Sequence, residues 1–278
     1  MMELRHKYDL DLLLNCMDMV RSTYYYYEKK GQLIDKYQEI KELIEQIYSH
    51  HKGRLGYRRI TLLIKQKGII INHKTVLRLM KILGLKSLIR IKKYKSYKGE
   101  QGKIVPNILQ RNFKASKPNE KWATDVTEFN VSGNKLYLSP IIDLFNGEII
   151  SYELSERPHF KQITNMLEKS FKKVPNNTNL ILHSDQGWQY QMKQYQLLLK
   201  KKGIKQSMSR KGNCLDNAVI ENFFGIIKSE LFYIMKFKDI KHLKQQVTEY
   251  IEYYNNERIK LNLKGMSPIQ YRAHYYQI

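Results

Sequence analysis

The chain has 278 residues, 42% hydrophobic and 12% aromatic, which allows one substantial core with smaller modules and excludes wholesale disorder. Its 49 lysines and arginines against 26 acids give a formal charge of +23, a self-repulsion best explained by a polyanionic partner, nucleic acid above all. Two cysteines without C-x-x-C spacing argue against a disulfide framework or Cys-rich zinc site, and no apolar run approaches the roughly 18 residues of a membrane span.

Along residues 1–50 a helical period places Leu10, Leu13, Leu14 and Met17 on one face, continued by Ile34, Ile40, Leu43 and Ile47. The run Tyr24 to Tyr27 reads as a packed or interfacial aromatic cluster. Residues 51–85 read as two short helices around a turn. The first, Tyr57–Lys67, carries Ile60, Leu63 and Ile64 on one face and ends at Gly68. The second, His73–Leu83, is capped by Asn72, buries Val76, Leu79, Met80 and Leu83, and presents Lys74, Arg78 and Lys81 on its other face. That pair suits a helix-turn-helix reader of DNA as well as an ordinary helical hairpin. Residues 86–118 form a basic linker in which Lys92, Lys93 and Lys95 could grip phosphate.

From residue 119 the texture becomes α/β. Strands are expected at Trp122–Phe129, Lys135–Ile142 and Glu148–Leu154, with turns at Ser132-Gly133-Asn134 and Asn146-Gly147. A helix (Phe160–Lys172), a strand (Asn179–His183), a helix (Met192–Lys202) and a strand (Lys205–Ser209) follow. Two longer helices, Asp216–Leu231 and Ile240–Asn255, close the pattern of a mixed sheet flanked by helices.

Three acids stand where such a fold could gather them: Asp125 inside the first strand, Asp185 just past the fourth, and Glu221 early in a helix capped by Asp216. A charge within an apolar strand is costly unless paired or metal-bound. Carboxylates of this kind suit two Mg²⁺ ions about 3.5–4 Å apart, an arrangement for in-line phosphoryl transfer. Asn217, Glu221 and Lys228 fall on one helical face, with Val219, Ile220, Phe223, Ile227 and Leu231 buried behind them. Spacing alone is weak evidence, and the context carries more.

The segments WATDVTEF (122–129), HSDQGWQY (183–190) and SMSRKGNCLDNAVIENFFGIIKSE (207–230) resemble the integrase-core domain of bacterial insertion-sequence transposases. So do HKGRLGYRRI (51–60), NHKTVLRLMKILGL (72–85) and YNNERIKLNLKGMSPIQYR (254–272), matching the second-frame (OrfB) subunit of the IS-three family, IS-one-fifty-like group. The resemblance implies an RNase H-like fold preceded by an all-α helix-turn-helix region. It also implies a triad of Asp125, Asp185 and Glu221 holding two Mg²⁺ ions (Mn²⁺ substituting), Lys228 as basic partner and Asn217 close by. His183 is expected to orient neighbours rather than bind metal, and Asp143 to be structural. The implied division is 1–50 N-terminal helices, 51–85 helix-turn-helix, 86–118 linker and 119–278 catalytic core. The implied function is cleavage and transfer of DNA strands at transposon ends, by a multimer on double-stranded DNA in the bacterial cytoplasm. A product of an upstream frame (OrfA) is an expected partner. The alternative is a regulatory OrfB fragment that binds DNA without cutting it.

Overall fold

The structure, a computed structural model, describes residues 4–32, 35–88, 105–210 and 214–277. Helix α1 (Leu10–Cys16) begins at Asp9, whose carboxylate accepts the Asp11 N–H at 2.8 Å, and packs with α2 (Arg21–Gln32) around Leu10, Leu14 and Tyr24. Met17, expected on the apolar face, is instead 58% exposed because the helix stops one residue before it. Ile34 lies outside the described residues.

Helices α3 (Gln38–His50), α4 (Tyr57–Gln66) and α5 (His73–Ile82) share one core in which Ile44, Ile60, Ile64 and Val76 are fully buried. Each such side chain contributes about 1.5–3 kcal/mol, so this cluster suffices to fix the helix angles. Gly68 ends α4 at φ +86, and Asn72 caps α5 by accepting the Lys74 N–H at 2.9 Å. The cluster crosses residue 50: α3 is bound to the helical pair by packing.

The second unit is built on strands β1 (Lys121–Thr124), β2 (Thr127–Val131), β3 (Asn134–Asp143), β4 (Ile149–Ser155), β5 (Ile181–Ser184) and β6 (Lys205–Met208). Strand β3 pairs antiparallel with β4 along one edge and with β2 and then β1 along the other; β5 and β6 add in parallel beyond β1. Ser132 and Gly133, both at positive φ, form the tight β2–β3 turn that the right-handed twist of the strands favours.

Helices α6 (Phe160–Phe171) and α8 (Lys193–Lys202) cover one face over Trp122, Ile141 and Leu182. Helices α9 (Ala218–Ile227) and α10 (Ile240–Asn256) cover the other over Phe129, Leu136 and Leu138. This three-layer mixed sheet is the RNase H-like arrangement expected. A short helix α7 (Trp188–Gln191) and a last helix α11 (Pro268–Gln277) complete the chain. The expected single helix Asp216–Leu231 is in fact three segments: a 3-10 turn (Cys214–Asn217), α9, and one π turn (Lys228–Phe232).

Candidate active site

The expected strand Trp122–Phe129 is interrupted, and Asp125 sits at the break rather than within a continuous ladder. Two local causes act together. Across the register lies Pro140, which has no N–H to donate, and Thr124 turns its hydroxyl to the Pro140 carbonyl at 2.9 Å. The Asp125 carboxylate also accepts the Val126 N–H at 2.7 Å, a local bond that holds the side chain against the backbone at the break.

Before the break, β1 and β5 run parallel with Ala123 opposite His183. Continuing that register by two residues on each strand arrives at Asp125 and Asp185. Both acids therefore leave the carboxyl ends of adjacent parallel strands, the usual position for a site in such a sheet. Asp185 is oriented by the Gly187 N–H, 2.9 Å from Oδ1. A Cβ at position 187 would stand 2.7 Å from Gln189 Nε2 and 2.9 Å from Asp185 Oδ1, so any other residue there would displace one of these side chains.

Glu221 enters from the first turn of α9. The start of that helix is fastened to the sheet by His183, which is fully buried. Its Nδ1 meets Ser207 Oγ and its Nε2 meets the Asp216 carbonyl, each at 2.9 Å. With both ring nitrogens engaged, His183 ties β5, β6 and the helix entry together and has no lone pair left for a metal. Asp216 is not the helix cap; that position is Asn217. The Asp216 side chain instead accepts from Arg210 Nε (2.8 Å), Arg111 Nε (2.9 Å) and Asn107 Nδ2 (2.9 Å), which hold its carboxyl well below the usual range despite burial.

The electrostatics at the three acids run the other way. Burial pushes the Asp125 carboxyl well up, and the charges of Asp185 and Glu221 push it further, with Lys228 opposing. Burial raises Asp185 as well. Lys228 opens the π turn with its ammonium 5.5 Å from the Phe129 ring centre, at the same edge. Asn217 is 3% exposed, yet neither its amide nitrogen nor its oxygen has a hydrogen-bond partner among the described residues. Such a group costs about 1–3 kcal/mol if left unsatisfied.

Sequence reasoning overlooked Tyr190 and Tyr195, which are fully buried. Burial pushes both phenols up, followed by the charges of Asp125 and then Asp185 at Tyr190 and by that of Asp185 at Tyr195. Tyr190 ends the HSDQGWQY segment, which was the available signal. Asp143 is structural as expected: fully buried, it accepts from the Asn119 and Phe145 N–H groups and from Arg272 at 2.6 Å.

Among the described residues no three His, Cys, Asp or Glu side chains form a ready-made metal cage. The donor set nevertheless fits divalent cations. It consists of oxygen ligands whose mutual repulsion a cation would relieve, at an edge where Asp125 feels both other acids. Lys74, Arg78 and Lys81 all lie on the exposed face of α5, with the Arg78 guanidinium 5.3 Å over the Tyr37 ring. Lys92, Lys93 and Lys95 lie outside the described residues.

Comparison with known proteins places the chain in a family. The Integrase core domain family matches residues 115–214, a second Integrase core domain family matches 221–275, and an HTH-like domain matches 36–93. The transposase InsK assigned to insertion sequence element IS150 of Escherichia coli is 58% identical over 99% of this chain and 97% of its own. The transposase InsF of insertion sequence IS3A, also from Escherichia coli, is 29% identical over 96% of each chain. Among solved structures, the HTLV-2 integrase catalytic core domain in complex with magnesium is 17% identical, with a TM-score of 0.43 over 56% of this chain and 98% of that one. The chain belongs to the IS150 and IS3 group of transposases, polynucleotidyl transferases with an integrase core behind a helix-turn-helix-like domain.

Proposed function

We propose that this transposase cuts DNA at the ends of its insertion sequence and joins the freed strands to new DNA, using Asp125, Asp185 and Glu221. The observation that carries the reading is the β1–β5 register, which leads both aspartates out of neighbouring strand ends. Asp125, Asp185 and Glu221 together would hold two divalent cations, Mg²⁺ or Mn²⁺. When bound, such ions activate the attacking oxygen and stabilise the leaving one in an in-line displacement.

The chain's own groups do the remainder. The three carboxylates set the place of reaction, and their surplus negative charge keeps phosphate away until cations arrive. Lys228 holds a flanking phosphate on the helix face next to Glu221. Asn217, whose buried amide has no partner within the described residues, would meet the DNA backbone only if binding uncovers it. Helix α5 reads sequence through Arg78, with Lys74 and Lys81 on phosphates, and Lys92, Lys93 and Lys95 grip the backbone non-specifically.

Two ends are paired by a multimer, with an upstream-frame product as a further partner, in the cytoplasm where the DNA lies. No helix among the described residues is long and apolar enough to cross a membrane. The test is Asp185→Asn in a cleavage assay on end-bearing DNA with Mg²⁺. Cleavage should disappear while end binding persists. Retained cleavage removes Asp185 from the reaction, and a wild-type chain that binds ends without cutting them supports the regulatory alternative.

A further inference from the structure

The far end of the catalytic helix is gripped from two sides. Its π turn carries Glu230, which is 1% exposed. Within the catalytic unit, Arg258 donates to both carboxylate oxygens, from Nη2 at 2.6 Å and Nε at 2.8 Å, and the Tyr250 hydroxyl adds a third bond at 2.8 Å. From the helix-turn-helix-like unit, Arg59 of α4 brings its guanidinium to 3.7 Å from the same carboxylate. Arg54, buried between α3 and α4, donates to the Glu230 carbonyl at 3.2 Å and lies over the rings of Tyr253 and Tyr250 at 4.7 and 5.2 Å. Burial alone would push the Glu230 carboxyl up, but Arg258, Tyr250 and Arg59 outweigh it and hold the group ionised.

This is the reverse of what DNA binding asks of an arginine. Arg54 and Arg59 are withdrawn from the surface and directed at the helix that carries Glu221 and Lys228. Further contacts run along the same seam: His51 Nδ1 meets the Tyr253 hydroxyl at 3.1 Å, and Gln66 donates to the Gly265 carbonyl at 3.1 Å. The π turn adds a residue to the helix just where these arginines act, and it begins at Lys228, two residues before Glu230.

We propose that Glu230 is a positioning residue: through Arg54 and Arg59 it couples the seating of the helix-turn-helix-like unit to the setting of the catalytic helix. End recognition thereby aligns Lys228 and Glu221. The inference rests on the assignment of those two residues to the cutting site. It identifies a coupling element made of named groups with a physical connection to both functions.

The test uses the full chain with both Arg54→Met and Arg59→Met. These changes remove only the helix-turn-helix side of the cluster and leave the Arg258–Glu230 pair in place. Three quantities are measured: affinity for end DNA, single-turnover cleavage at saturating DNA, and amide hydrogen exchange over residues 218–232. Affinity should stay within about threefold, whereas the cleavage rate should fall about tenfold or more. Exchange over 218–232 should speed up while strands β1–β4 are unchanged. The single variant Arg59→Lys, which keeps a cation at the position, should recover most of the rate. Cleavage within about twofold of wild type, or unaltered exchange over 218–232, overturns the proposal. If the wild-type chain itself does not cut end DNA, the proposed function fails, and the exchange measurement alone decides the coupling.

Discussion

The two ends of the catalytic helix are built on opposite electrostatic plans. At its start, Glu221 joins Asp125 and Asp185; burial raises the carboxyls of both aspartates, and at Asp125 the charges of Asp185 and Glu221 raise it further. At its end, Glu230 is more fully buried, 1% exposed, but is clasped by Arg258, Tyr250 and Arg59, and its carboxyl is lowered. Asp216, just before the helix, follows the second plan with Arg111 and Arg210. The acids differ in depth, with Asp216 and Glu230 fully buried and Asp125, Asp185 and Glu221 half-buried, yet the more buried pair is the one whose carboxyls are lowered. The partner differs, and the partner separates acids that hold the fold together from acids waiting for a ligand.

The sharpest way to break the comparison is to change one acid of each kind. Asp185→Asn should reduce cleavage by at least the order of 10²–10³-fold that loss of one electrostatic stabiliser costs, with the thermal midpoint preserved or raised, because a repulsion is removed. Arg258→Ala should do the opposite. It leaves Glu230 buried and without its bidentate partner, so denaturant titration should report a loss of about 3–5 kcal/mol.

A smaller effect follows from His51, which burial first and the neighbouring His50 second lower to about 4. A base with a depressed folded pKa is penalised when protonated. Its contribution is therefore complete above about pH 6.5 and is lost as the pH falls toward 4. Allowing for partial solvent access of the ring, the loss is about 1–2 kcal/mol, read from melts between neutral and acid pH, and His51→Phe should flatten that slope.

Asn217→Leu tests the unsatisfied amide. Stability should hold or rise, within about 1 kcal/mol, since no internal hydrogen bond is removed, while cleavage at saturating DNA should drop. Smallest of all, Lys81→Ala should lower the slope of log affinity against log salt by about 1 without altering sequence preference, whereas Arg78→Ala should alter the preference.

Much of this was legible because it is local. The period of α4 and α5, the Asn72 cap and the Gly68 stop all depend on residues a few positions apart, and the structure places them as the pattern implies. What escaped was decided at a distance. The break at Asp125 depends on Pro140 of the neighbouring strand, which no window around residue 125 contains. The division of the last catalytic helix is invisible in a segment whose apolar period runs on unbroken; its π turn lies where buried arginines from two parts of the chain converge. Arg54 and Arg59 looked like ordinary basic residues, and only folding across some 170 positions gives them Glu230. Helix α11 was missed for a different reason. Its weak amphipathy hid it, although Ser267 and Gln270 form a reciprocal cap around Pro268 that was readable from Ser-Pro-Ile-Gln.

The parallel pairing of β1 with β5 makes the sheet itself a ruler. Neighbouring strands keep a spacing of about 4.8 Å whatever their side chains, so the pairing that ends at Ala123 and His183 brings the two chains side by side two residues before Asp125 and Asp185. Loops on either side can lengthen or change composition without disturbing that pairing. A one-residue slip of Ile181–Ser184 against β1, by contrast, would turn Asp185 to the opposite face of the sheet. Insertions between α6 and β5 should therefore be tolerated, and a single inserted residue inside β5 should abolish activity.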